Sequence, residues 1–180
     1  MKAIRYILLL EFGLIFLTGC FHDDTEYQKA VQEETKIIPD QIANNIQVIF
    51  FDSASTKAVL TAARAEVFNN TSITQLKGGV KVEYFSKTTG KRLSLLTSDS
   101  ATIDDKSKDM FAYGNVYVLS DSTGVTLRTQ TLAWNNTKQI IYSNDFITLK
   151  TATETINGSG FESNLNLSNY KIYKVTGIKQ

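Results

Sequence analysis

From Ile46 onward, apolar and polar residues alternate in short runs rich in Val, Ile, Thr, Tyr and Phe, with clusters of Gly, Asn, Asp and Ser between them. Alternation with a period of two marks a strand with one buried face, and those four residues punctuate turns. The pattern predicts strands over roughly 46–51, 57–68, 73–86, 92–104, 110–119, 124–134, 138–150, 153–162 and 170–177. The segment Ala54 to Phe68 holds five alanines and fits a helix on propensity alone. Its match to an internal repeat makes it a strand.

That repeat reads Leu60-Thr-Ala-Ala-Arg-Ala-Glu-Val67, Leu96-Thr-Ser-Asp-Ser-Ala-Thr-Ile103, Leu127-Arg-Thr-Gln-Thr-Leu-Ala-Trp134 and Ile156-Asn-Gly-Ser-Gly-Phe-Glu-Ser163. Each copy has an aliphatic residue and an apolar residue five positions on. Between copies lie Gly78-Gly79-Val80, Gly114-Asn115-Val116 and Asn144-Asp145-Phe146, so each unit is a hairpin-like step of two long strands. In a regular strand two residues five apart point to opposite faces. A bulge between them returns both to one face. The small residues Ala62, Ser98, Thr129 and Gly158 mark where the chain tolerates that bend.

The first 45 residues follow another pattern. Lys2 and Arg5 precede an apolar run from Tyr6 to Leu17, interrupted by Glu11 and Gly13, which ends in Leu17-Thr-Gly-Cys20. A basic start, a short apolar middle and small residues at the end are the layout of a signal peptide, and the run is shorter than the roughly 20 residues of a membrane span. Leu-Thr-Gly-Cys resembles the bacterial lipobox, which implies that Cys20 receives a diacylglyceryl group and becomes the first residue after cleavage. The predicted organisation is a leader over 1–19, a polar tether over 20–45 and a β-domain over 46–180. The tether carries Asp23, Asp24, Glu26, Glu33, Glu34 and Asp40, with room for a short helix around 26–34, and contains the sole proline, Pro39.

Composition narrows the function. The 180 residues carry 19 Lys+Arg against 18 Asp+Glu, for a net charge of +1. Removal of 1–19 takes Lys2, Arg5 and Glu11 and leaves the rest neutral. That balance excludes an overall basic footprint for nucleic acid. One His and one Cys exclude nearly every His- or Cys-rich metal site and any intrachain disulfide. His22 reads as a solvated tether residue. No Gly-x-Ser-x-Gly elbow or phosphate loop is present. Asp99, Asp104, Asp105 and Asp109 lack the spacing of an EF-hand and read as turn residues. Asn-x-Ser/Thr sequons at Asn69, Asn135, Asn157 and Asn166 carry no glycan expectation in a bacterial context. No catalytic residue, metal site or cofactor is predicted.

The repeat and its punctuation resemble the LptC-type component of bacterial lipopolysaccharide export. The resembling pieces include Ala63-Arg-Ala-Glu-Val-Phe68, Gly79-Val-Lys-Val-Glu-Tyr-Phe85, Tyr113-Gly-Asn-Val-Tyr-Val118, Gly124-Val-Thr-Leu-Arg-Thr129, Leu132-Ala-Trp-Asn135 and Ile141-Tyr-Ser-Asn-Asp-Phe146. The resemblance implies an all-β protein, an open twisted β-jelly roll in the periplasm. It implies that lipopolysaccharide is taken from an inner-membrane ABC transporter and passed to the next jelly roll of a bridge, with acyl chains between the sheets and no covalent chemistry. Better-known members keep a transmembrane helix where this chain has a lipobox. The membrane that holds the anchor is therefore open, with the inner one favoured.

Alternation supplies candidate contacts. Val80, Val82 and Tyr84, Val116 and Val118, Leu132 and Trp134, and Ile147 and Leu149 would share one face. Two readings stay open for them: contact with acyl chains, or packing between two sheets. The run Tyr170-Lys-Ile-Tyr-Lys-Val-Thr176 is the candidate edge for strand addition by a partner, with Tyr170, Ile172 and Val175 as its residues. The rival function is a structural or assembly lipoprotein of the envelope with a closed β-core and no lipid ligand.

Overall fold

The computed structural model describes residues 38–179. Nine strands follow one another in chain order: β1 (Gln41–Asp52), β2 (Ser55–Phe68), β3 (Ile73–Phe85), β4 (Arg92–Asp104), β5 (Met110–Ser120), β6 (Thr126–Asn135), β7 (Ile140–Lys150), β8 (Thr155–Ser163) and β9 (Tyr170–Lys179). They form one antiparallel sheet in the order β1 to β9, and among the described residues β1 and β9 are its free edges. The alanine-rich segment is strand β2, because it pairs on both sides, with β1 and with β3. Pairing and burial outweigh the helix propensity of alanine. Strand β1 starts at Gln41, upstream of the predicted 46, within the stretch expected to be tether. Its first residues do not alternate, and its register against β2 continues through them (Ala43 opposite Ala65, Asn44 opposite Arg64). The leader, Cys20, His22 and the 26–34 helix lie outside the described residues.

The expected bulges are present and form a line across the sheet. On the even strands the inward residues step by three: Ala62 to Ala65, Ser98 to Ala101, Thr129 to Leu132 and Gly158 to Phe161. On the odd strands between them they step by four: Leu76 to Val80, Ala112 to Val116 and Ser143 to Ile147. The registers slip at these places, where Gly78-Gly79, Gly114-Asn115 and Asn144-Asp145 supply the extra residue. Leu60 and Ala65 therefore share the inner face, as do Leu96 and Ala101, Leu127 and Leu132, and Ile156 and Phe161. Gly114 shows why glycine stands at this line: its φ is +73°, and a Cβ there would meet Asp99 Oδ2 at 2.5 Å.

The line of bulges is a crease over which the sheet folds. Ladder pairs lead from Trp134 through Met110 and Ile103 to Thr74 on β3, ten residues before Tyr84. In a flat sheet, ten residues along and three strands across separate two side chains by roughly 35 Å. The rings of Tyr84 and Trp134 are instead 6.1 Å apart. Lys57 Nζ lies 5.9 Å from the same Trp134 ring, and Thr123 Oγ1 donates to the Asn166 carbonyl at 3.5 Å. Each pair joins opposite halves of the folded sheet, so every long strand contributes to two layers. One apolar cluster fills the space between them and draws residues from β2 to β8. Leu167 closes part of it from the β8–β9 loop, fully buried with φ +51°.

Candidate functional site

The nine sequence-predicted contact residues all belong to this shared interior. Val80, Val82 and Tyr84 come from β3, Val116 and Val118 from β5, Leu132 and Trp134 from β6, and Ile147 and Leu149 from β7; all are buried. The expected alternation holds on β3, β5 and β7. On β6 Ala133 is also buried, so Leu132-Ala133-Trp134 is covered on both faces. Burial pushes the Tyr84 hydroxyl well above the ordinary phenol range. Next to Tyr84 in the ladder are Ser94 and then Ser120, both buried. Among the described residues the Ser94 hydroxyl has no hydrogen-bond partner. The inner face thus ends in a row of hydroxyls at this end of the sheet.

The inner face stays uncovered at the edges. On β1, Ile46, Val48 and Phe50 stand opposite Ala62, Leu60 and Ala58, residues of the core. Val48 remains 39% exposed and Phe50 38%. On β9, Ile172, Val175 and Ile178 stand opposite Phe161, Gly158 and Ile156. Ile172 packs against the core, while Val175 and Ile178 are 51% and 61% exposed. Sequence reasoning singled out β9 and missed β1. The available signal was Val48-Ile49-Phe50-Phe51, an unbroken apolar run without lysine at the first strand of the domain.

The outer face carries the ion pairs beside half-buried Leu95 and Leu119 and exposed Phe146. Arg92 donates from Nε and Nη2 to Asp121 at 2.6 and 3.1 Å, and from Nη1 to Glu83 at 3.0 Å. The hydrogen bonds to Asp121 and Glu83 raise the Arg92 pKa, and Arg92 in turn holds Asp121 below the usual carboxylate range. Hydrogen bonds from Lys81 and then Arg92 lower Glu83. Near the crease, Lys77 and Arg64 clamp Glu66 at 2.6 and 2.7 Å and lower its pKa, Lys77 contributing most. The four clustered aspartates have turn and ladder duties. Asp104 accepts the Ser107 and Lys106 amides, which lower its pKa. Asp105 accepts from Thr74, Asp109 from the Asn136 amide and Asp99 from Asn115.

A creased sheet with an apolar interior and open inner borders suits the enclosure of acyl chains. The LptC-related lipopolysaccharide-assembly family model matches residues 8–179. The chain belongs to this family. Membership makes it a periplasm-facing component of lipopolysaccharide transport, a family of transport rather than catalytic proteins. No curated protein matches the chain.

Proposed function

We propose that this LptC-related protein is a lipid-anchored, non-enzymatic relay that accepts lipopolysaccharide from an inner-membrane ABC transporter and hands it to a periplasmic β-jelly-roll bridge protein. Cys20 carries the lipid after removal of 1–19, and the following tether leads to the β-domain. Several acyl chains give stable anchoring, because each buried methylene contributes about 0.8 kcal/mol. The observation that carries the reading is the uncovered inner face at both free edges. A chain end leaving one jelly roll finds apolar surface there before it reaches the interior. Strand addition at each edge would continue the trough into a neighbour. Edge β1, which follows the anchor in the chain, would face the transporter. Edge β9, with Tyr170, Ile172 and Val175, would face the bridge.

Inside the domain, Val80, Val82, Tyr84, Val116, Val118, Leu132, Trp134, Ile147 and Leu149 would contact acyl chains as the layers part. Their close packing favours a second reading, an assembly lipoprotein whose core stays shut and takes no lipid. A photo-crosslinker at Val118 or Trp134 separates the two. Under the relay reading it captures lipopolysaccharide in cells with an active transporter. Under the scaffold reading it captures none. Depletion adds a second test: lipopolysaccharide should accumulate at the inner membrane.

A further inference from the structure

On the outer face, at the end of the sheet where β5 turns into β6 and β7 into β8, a cleft of about 440 Å³ is lined by Tyr117, Thr123, Thr126, Arg128, Lys150 and Thr151, among others. None of its lining residues is acidic. The ladder explains the grouping: Arg128 is opposite Tyr117 on one side, and Thr126 is opposite Lys150 on the other. Of the three arginines among the described residues, Arg64 and Arg92 hold carboxylates. Arg128 holds none and lies over the Tyr117 ring, 4.7 Å from its centroid. With its carbon over the ring and no side-chain hydrogen bond to its N–H groups among the described residues, the guanidinium can meet phosphate oxygens. Lys150 adds a second cation without a carboxylate partner among the described residues, and hydroxyls surround both.

We infer that this cleft binds a phosphate group on the head of the amphiphile whose chains the interior takes. Its place supports a head-group role. Thr123, at its rim, donates to Asn166 across the seam where the two layers meet. An amphiphile with its chains between the layers would bring its polar end out at such a seam. The nature of the amphiphile rests on the relay reading above; the phosphate site itself does not.

The test uses the full-length, isotope-labelled protein in neutral detergent. Inorganic phosphate, against chloride at equal ionic strength, is expected to move the amide resonances of Gly124, Arg128 and Lys150 in a saturable way. The R128Q/K150Q double variant should melt at an unchanged temperature and lose that response. It should bind lipopolysaccharide roughly tenfold more weakly, while dephosphorylated lipopolysaccharide binds both proteins alike. Equal shifts with chloride, or undiminished lipopolysaccharide binding by the variant, would overturn the site. Vesicles of phosphatidylglycerol form the third arm. If they engage Arg128 and Lys150 as well as lipopolysaccharide does, the site belongs to the membrane surface and the assignment fails. If the wild-type protein responds to phosphate through these residues yet binds no lipopolysaccharide, the relay reading falls and the phosphate site stands.

Discussion

The two free edges of the sheet are built differently. Strand β1 contains no lysine or arginine, and Val48, Ile49, Phe50 and Phe51 are exposed along it on both faces. Strand β9 carries Lys171, Lys174 and Lys179, with Lys171 seated 4.6 Å from the Tyr173 ring centroid. Among the described residues both edges offer unpaired backbone groups, and lysines are a common guard against uncontrolled pairing. An apolar, unguarded edge is prone to pair with another chain. A lysine-rich edge stays soluble between partners. The contrast fits a lasting contact at β1 and an exchangeable one at β9.

One core carries both edges, and the largest expected effect tests this. Leu127→Ala, at the centre of the interior, should cost about 2–5 kcal/mol in denaturant unfolding and weaken partner capture at both edges together. A loss below about 1 kcal/mol would mean that the two layers do not share a tight core.

The crease comes next. Gly114→Ala faces both a left-handed φ and the Asp99 carboxylate, so it should cost about 2 kcal/mol or more. Gly79→Ala has the same φ problem with open space around it, and should cost about 1 kcal/mol. Equal losses would show that contact with Asp99 contributes nothing to the bend.

The edges themselves separate by partner. Phe50→Asp should reduce transporter capture roughly tenfold, a change of about 1.4 kcal/mol, and spare bridge-protein capture. Val175→Asp should do the reverse. Loss of both partners with either variant would erase the distinction between the edges. Neither change should lower thermal stability much, since both side chains are substantially exposed.

The smallest effect is a local pH response at the end of β1. Lys87 donates to Asp52 at 3.1 Å and holds its carboxyl below the ordinary value of 3.8, first through that hydrogen bond and then through its charge. A value lowered by folding means that the tie stabilises above the unfolded value and is lost as pH falls through the folded one. Amide protection at residues 50–53 should therefore drop below about pH 3.8 more than protection in β9. Equal losses would remove Asp52 from the account.

Much of this architecture is legible along the chain because it rests on local spacing. The five-residue interval from Leu60 to Ala65, repeated three times, demands a face switch, and small residues mark its place. The start of β1 is not legible, since Gln41 to Asn45 shows no alternation and is held by its pairing with β2. The approach of Tyr84 to Trp134 is also hidden, because it depends on how far the crease folds. The Arg128 cleft needs β5, β6 and β7 side by side, and no spacing in one strand announces it. Buried position alone does not separate a residue that touches lipid from one that packs the core.

The most direct test of the relay compares faces at the open borders. A photo-crosslinker is placed at Val48 or Val175, on the uncovered inner face, and at Tyr113, an exposed residue beside the crease, in cells with a working transporter. The account predicts lipopolysaccharide adducts at Val48 and Val175 that depend on ATP hydrolysis, and none at Tyr113. Adducts at all three positions alike, or at Tyr113 alone, would contradict it.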